Sequence, residues 1–274
     1  MNSTTINCIL FVIITYVLTC IVAWSGNQYV ISIATFIPAT VAMGLTIYNK
    51  EKIRDLFKRS SLRNCFLGFI IPIVTLYLIN SIIVLLIYYL LELPWEVEYT
   101  LEKIKDFSAV MLLFILLSNF VMLIITSLGE EIGWRSYLLK KLKTKIPNFY
   151  ARAIVIGFIW GLWHMPLWQA VGPMLWKDGL TLSVAFVFMA SACSASLLFT
   201  WLFEKDNSIW PVTILHATTN YICQTIPMLF TTMTLPVPNY MTVYGLVSLA
   251  ISYLIVGVGV IWFDKVRGHR LSDS

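Results

Sequence analysis

Two adjacent carboxylates, Glu130 and Glu131, stand at the end of a long apolar run, and Arg135 follows shortly after. If a helix continues through this stretch, Glu131 and Arg135 are at i and i+4, share a face and form a charge-assisted pair. Glu130 then points about 100° away from Glu131 and is left free to act. His216 and Asn220 have the same i, i+4 spacing and project together. An imidazole holds or exchanges a proton near neutrality, and an Asn amide donates to a developing oxyanion. His164, in Gly161-Leu162-Trp163-His164-Met165-Pro166-Leu167, sits near mid-helix in another apolar run. Ionisable groups in such runs are costly and default to functional candidates.

Helical arithmetic also places Thr126 one turn before Glu130, and Asn119 close to the same line. They either line a cavity or hydrogen-bond between helices, and helix contact is the favoured reading. His269, in a charged tail, reads as a solvated surface residue. Cys8, Cys20, Cys65, Cys193 and Cys223 lie in or beside apolar runs without metal-site spacing and read as small buried hydrophobes with no disulfide framework.

The elements that must position these residues are membrane helices. The chain is 59% hydrophobic and 12% charged, far from the usage of soluble domains. Its apolar runs match a hydrocarbon core of about 30 Å, in which helices satisfy their own backbone groups. Eight segments are expected: 6–25, 28–48, 65–91, 107–128, 153–171, 181–203, 209–231 and 243–263. The expected fold is an all-α polytopic membrane protein with a conical or bundle-like core enclosing a membrane-embedded site. The chain reads as a single integral membrane domain, 1–274, with a motif-bearing core at about 107–230 and no repeat or long linker.

The loop after the second segment carries Lys50, Lys52, Arg54, Lys58, Arg59 and Arg63; the loop after the fourth carries Arg135, Lys140, Lys141, Lys143, Lys145 and Arg152. The positive-inside rule makes both cytoplasmic and, by alternation, both termini too, leaving Lys103, Lys105 and Lys177 outside. An acidic external loop holds Glu92, Glu96, Glu98 and Glu102. The first segment reads as a retained helix rather than a cleaved leader, because Lys50 is the first Lys or Arg. The net charge of +5 is accounted for by loops facing anionic headgroups, and nucleic acid is not an expected partner. Gly157 and Gly161, and the run ASACSAS from Ala190 to Ser196, read as close helix contacts. Pro166 removes a backbone donor and is expected to bend its helix just after His164.

The three polar blocks together resemble the membrane protease family of type II CAAX prenyl endopeptidases and bacteriocin-processing or self-immunity proteins, the CPBP or Abi proteins. The family's EExxxR motif is met by Glu130, Glu131 and Arg135, its aromatic four residues before a histidine by Trp160 and His164, and its third motif by His216 and Asn220. Trp160 stands where the family commonly has phenylalanine, a swap expected to leave the motif intact. The resemblance implies an intramembrane endopeptidase in which Glu130 activates water, His164 neighbours that water, and His216 with Asn220 forms the oxyanion side. Glu131 and Arg135 would support the site, with Asn119, Thr126 and Trp160 as candidate pocket lining.

Expected partners are membrane lipid and a prenylated CAAX or other hydrophobic peptide or protein; in most bacteria the expected substrate is a peptide precursor, an anti-sigma factor or another membrane-regulatory target. The plasma membrane of a prokaryote is the expected location. No cofactor is expected; zinc on Glu130, His164 and His216 is the unfavoured alternative. Two other functions fit the same residues: a proton-coupled transporter using them as a relay, and a non-proteolytic immunity or scaffold protein of the same fold.

Overall fold

The computed structural model describes residues 3–92, 107–175, 180–225 and 243–267, and the described residues are helical with short connections. Glu96, Glu98, Glu102, Lys103, Lys105, Lys177 and His269 of the sequence reading lie outside them.

Helix α1 is Ser3–Trp24. The second expected span is built from α2 (Gln28–Ser32), a 3-10 turn (Ile33–Phe36) and α3 (Ile37–Tyr48). Asn27 caps α2 by accepting the backbone N–H groups of Tyr29 and Val30, which satisfies two of the donors a helix start leaves free. The third span joins α4 (Leu62–Ile73), a π-helical stretch (Val74–Asn80) and α5 (Ser81–Leu90). Asp206 accepts from the Ser60 hydroxyl, the Ser61 N–H and the Asn64 amide, so it ties the start of α4 to the turn before α10 (Ile209–Asn220).

Helix α6 (Ala109–Glu131) does not end at the carboxylates. It runs on as a π-helix (Ile132–Leu139) into the short α7 (Lys140–Lys143). Helix α8 (Phe149–Leu175) continues as helix through Pro166. Helices α9 (Leu182–Glu204), α10 with its π-helical extension (Tyr221–Thr225), and α11 (Val243–Val266) complete the bundle. Among the described residues seven spans are long and apolar enough to cross a membrane. The expected eighth, 209–231, is described only to residue 225.

Apolar side chains coat the outside. Ile13, Val17 and Ile21 of α1, and Val110, Leu113, Phe114, Leu117 and Val121 of α6, are each more than half exposed, which a water-soluble surface does not sustain over such an area. The protein is a polytopic all-α membrane protein. Along α6 the character inverts: its first turns are largely lipid-facing, whereas every residue from Gly129 to Leu139 is buried. The polar end of this span is thus its interior end.

Two pairs of glycines let helices approach. A Cβ on Gly157 would lie 2.6 Å from the Cys193 Cα, and one on Gly161 would lie 2.7 Å from Met189 Sδ and 3.1 Å from the Ala192 Cβ. The two small-residue patterns of the sequence are therefore opposite sides of one α8–α9 contact, as packing in lipid favours. A second pair, Gly129 and Gly133, seats α6 and its π-helical turn on the 3-10 turn and α3. A Cβ on Gly133 would fall 2.4 Å from the Pro38 Cβ and 2.8 Å from its carbonyl carbon and oxygen. Backbone must move to admit it, so Gly133→Ala is expected to destabilise by about 1–3 kcal/mol. Thermal unfolding of the detergent-solubilised variant checks this; an unchanged midpoint would contradict so tight a contact.

The first three spans are structural partners of the motif helices. Phe11 of α1 packs on Trp134 and Tyr137 at ring-centroid distances of 5.4 and 5.2 Å. Trp163 Nε1 donates to Thr19 Oγ1 at 2.7 Å, and the Tyr16 hydroxyl donates to the Ile159 carbonyl. Residues that the motifs leave unexplained therefore hold the backs of the motif helices.

Two arginines counted as loop charges are interior. Arg135 and Arg152 are both fully buried. Arg152 forks onto Glu204, Nε to Oε1 and Nη2 to Oε2 at 2.9 Å each, while Nη1 donates to the Ile146 and Pro147 carbonyls at 2.7 Å. It locks the start of α8 to the end of α9. The loop reading failed here because charge alone does not distinguish a headgroup-facing arginine from one satisfied internally. All five thiols are free. Cys8 is buried as expected, but Cys20 is exposed on the outer face of α1.

Candidate active site

Glu130 and Glu131 occupy the last two positions of α6, 5% and 0% exposed. The pairing expected from local spacing is present: Arg135 Nη1 donates to Glu131 Oε1 at 3.0 Å. The guanidinium is also enclosed between aromatic faces, its carbon 4.7 Å from the Trp160 ring centroid and 4.8 Å from that of Phe199. Cation–π contact of this kind strengthens where water is excluded. Beyond the expectation, Glu131 Oε1 also takes His216 Nδ1 at 2.8 Å. Glu131 thus ties the π-helical turn to α10, 85 residues away in sequence.

That contact sets the histidine's tautomer. An ionised carboxylate only accepts, so Nδ1 of His216 carries a proton and Nε2 is the remaining polar atom. His164 follows the same logic from a different partner. Its Nδ1 lies 2.9 Å from the Trp160 carbonyl, which also only accepts, leaving Nε2 as the lone pair of the neutral ring. His164 is half-buried within an aromatic wall, with ring centroids of Trp163 at 4.7 Å and Phe188 at 5.2 Å.

Glu130 is engaged by an indole. Trp160 Nε1 donates to Glu130 Oε2 at 2.8 Å. The same ring meets His164 and His216 edge-on, at centroid distances of 5.4 and 5.5 Å. The structure therefore brings Glu130, Glu131, Arg135, Trp160, His164 and His216 into one buried group drawn from three helical spans. Asn220 sits one turn beyond His216 at the end of α10, half-buried, and its approach to the group rests on helical register alone. Asn119 and Thr126 are half-buried on α6. The Thr126 hydroxyl bonds back to the Met122 and Leu123 carbonyls of its own helix, the internal satisfaction usual for threonine in lipid.

Phe199 is the member that sequence reasoning missed. It covers Arg135 and packs on Trp160 and His216 at 5.6 and 5.5 Å. It lies one turn along α9 from the small-residue run that brings this helix against α8, and that proximity was the available signal. The second missed feature, the indole donor to Glu130, follows from having Trp rather than Phe at position 160.

Zinc would need Glu130, His164 and His216 to converge. Among the described residues no three His, Cys, Asp or Glu side chains form a group able to hold a metal ion.

Fold and centre together define a polytopic membrane protein with a buried carboxylate and histidine site. Residues 106–222 match the family model for type II CAAX prenyl endopeptidase, Rce1-like. The CAAX prenyl protease 2 of Methanococcus maripaludis is 28% identical over 110 residues, covering 37% of this chain and 34% of that protein. The chain thus spans about a third of the length of this curated relative. All the motif residues, Glu130 through Asn220, fall inside the family match. The chain carries an Rce1-like segment, and the resemblance drawn from the three motifs is borne out.

Proposed function

We propose that this protein is an intramembrane endopeptidase that cleaves a lipidated or hydrophobic peptide with water activated by Glu130. The observation that carries the reading is the buried Glu130 carboxylate gathered with His164 and His216 around the Trp160 ring. The Rce1-like match over the same residues supports it.

In this reading Glu130 takes a proton from a water whose position is fixed by a hydrogen bond to His164 Nε2. The resulting hydroxide adds to the scissile carbonyl, and the carbonyl π pair moves to its oxygen. His216, with Nδ1–H held by Glu131, donates to that oxyanion through Nε2–H when protonated, and the Asn220 amide adds a second donor. One guanidinium against two carboxylates leaves room for that proton without a net positive charge in the interior. Collapse of the tetrahedral intermediate breaks the C–N bond as Glu130 returns its proton to the leaving amine. The site faces the cytoplasmic half of the bilayer, with both termini cytoplasmic, and the membrane is the plasma membrane of a prokaryote. A prenylated CAAX tail is the substrate class that the relative's name suggests; a hydrophobic peptide precursor is the counterpart where proteins are not prenylated.

The test compares membrane proteomes from cells carrying the wild-type protein and Glu130→Ala. A precursor that accumulates in the variant, and that purified wild-type protein cleaves in liposomes, is the expected result. Identical proteomes together with no cleavage of farnesylated or unmodified hydrophobic peptides would overturn the reading. Cleavage is expected to persist after exhaustive chelation; loss restored by stoichiometric zinc would overturn the metal-free mechanism.

A further inference from the structure

We infer that Trp160 is a positioning residue whose indole N–H aims the Glu130 carboxylate at the reacting water; this rests on reading Glu130 as the general base. A glutamate carboxylate rotates over a broad, roughly two-fold torsion, so burial alone does not orient it. Among the described residues the indole is the hydrogen-bond donor to Glu130, through Oε2 at 2.8 Å. With Oε2 engaged, the carboxylate plane is set and Oε1 is the oxygen left to receive a proton.

The donor is itself firmly placed. Trp160 is 8% exposed, and its ring packs between the Arg135 guanidinium at 4.7 Å, Phe199 at 5.6 Å and the two histidines at 5.4 and 5.5 Å. Its backbone carbonyl also accepts His164 Nδ1. One residue therefore orients the base through its side chain and the neighbouring imidazole through its main chain. A phenylalanine would keep the second contact and most of the packing but not the first.

The experiment replaces Trp160 with phenylalanine and, separately, with β-(3-benzothienyl)alanine, which keeps the bicyclic shape and puts sulfur where the N–H stood. Both variants are expected to lose roughly 10- to 100-fold in kcat with KM within about twofold, as misplacement of a reacting group by about an ångström does. A second readout needs no turnover. The indole 15N–1H resonance that disappears in Trp160→Phe is expected to shift in Glu130→Gln more than those of the other tryptophans.

Wild-type kcat in the benzothienyl variant, or an unmoved Trp160 resonance, would overturn the positioning role. The two readings fail differently. If Glu130→Ala abolishes cleavage while the benzothienyl variant keeps full kcat, only the inference about Trp160 falls. If Glu130→Ala cleaves normally, the base assignment falls, and the resonance still reports whether the hydrogen bond exists.

Discussion

Glu130→Ala is expected to reduce kcat for peptide cleavage by roughly 10²- to 10⁴-fold, the range for removing a positioned general base. Glu130→Gln is expected to lose nearly as much, and it is the more informative variant. Its amide oxygen still accepts the Trp160 indole N–H, so the packing around the 5%-exposed side chain is kept. What it lacks is basicity. Neither variant should unfold, because Glu130 is not the carboxylate that holds Arg135. Single-turnover cleavage in liposomes, beside a thermal melt of each variant, separates chemistry from folding. Full turnover by a well-folded Glu130→Gln would remove Glu130 from the chemistry.

The second large effect is on stability. Glu131→Ala strands a fully buried guanidinium and removes the partner of His216 Nδ1. Breaking a buried ion pair from one side costs about 3–5 kcal/mol, and here the guanidinium loses its hydrogen-bonded carboxylate. The double variant Glu131→Ala with Arg135→Met is expected to recover much of that loss. Removing both charges is often neutral or better, and methionine fits between the Trp160 and Phe199 rings that now sandwich Arg135. Cleavage should not recover with it, since His216 still lacks the carboxylate that sets its tautomer. Unfolding midpoints of the two variants check this; a single variant that melts like wild type would show that the pair is not the brace of this turn.

This division explains which parts of the site were legible in the residues. The Glu131–Arg135 pair was readable because i, i+4 neighbours meet on any continuing helix, whatever packs around them. The small residues at 157, 161 and 190–196 were readable as contact surfaces, since little else brings backbones together in lipid. The pattern Gly129-x-x-x-Gly133 carries the same signal, overlaid on the charged motif.

What the sequence by itself determined is the membrane-helical architecture and the identity of the polar side chains, because hydropathy and helical periodicity act over a few turns of chain. The tertiary structure alone decided how those side chains divide the work. Glu131 reaches His216 across 85 residues, Trp160 reaches Glu130 across 30, and Arg152 reaches Glu204 across 52. Such pairings depend on where helices cross, and on a π-helical turn that keeps α6 running past its carboxylates into the interior. Periodicity within one helix carries no record of the distance to the next.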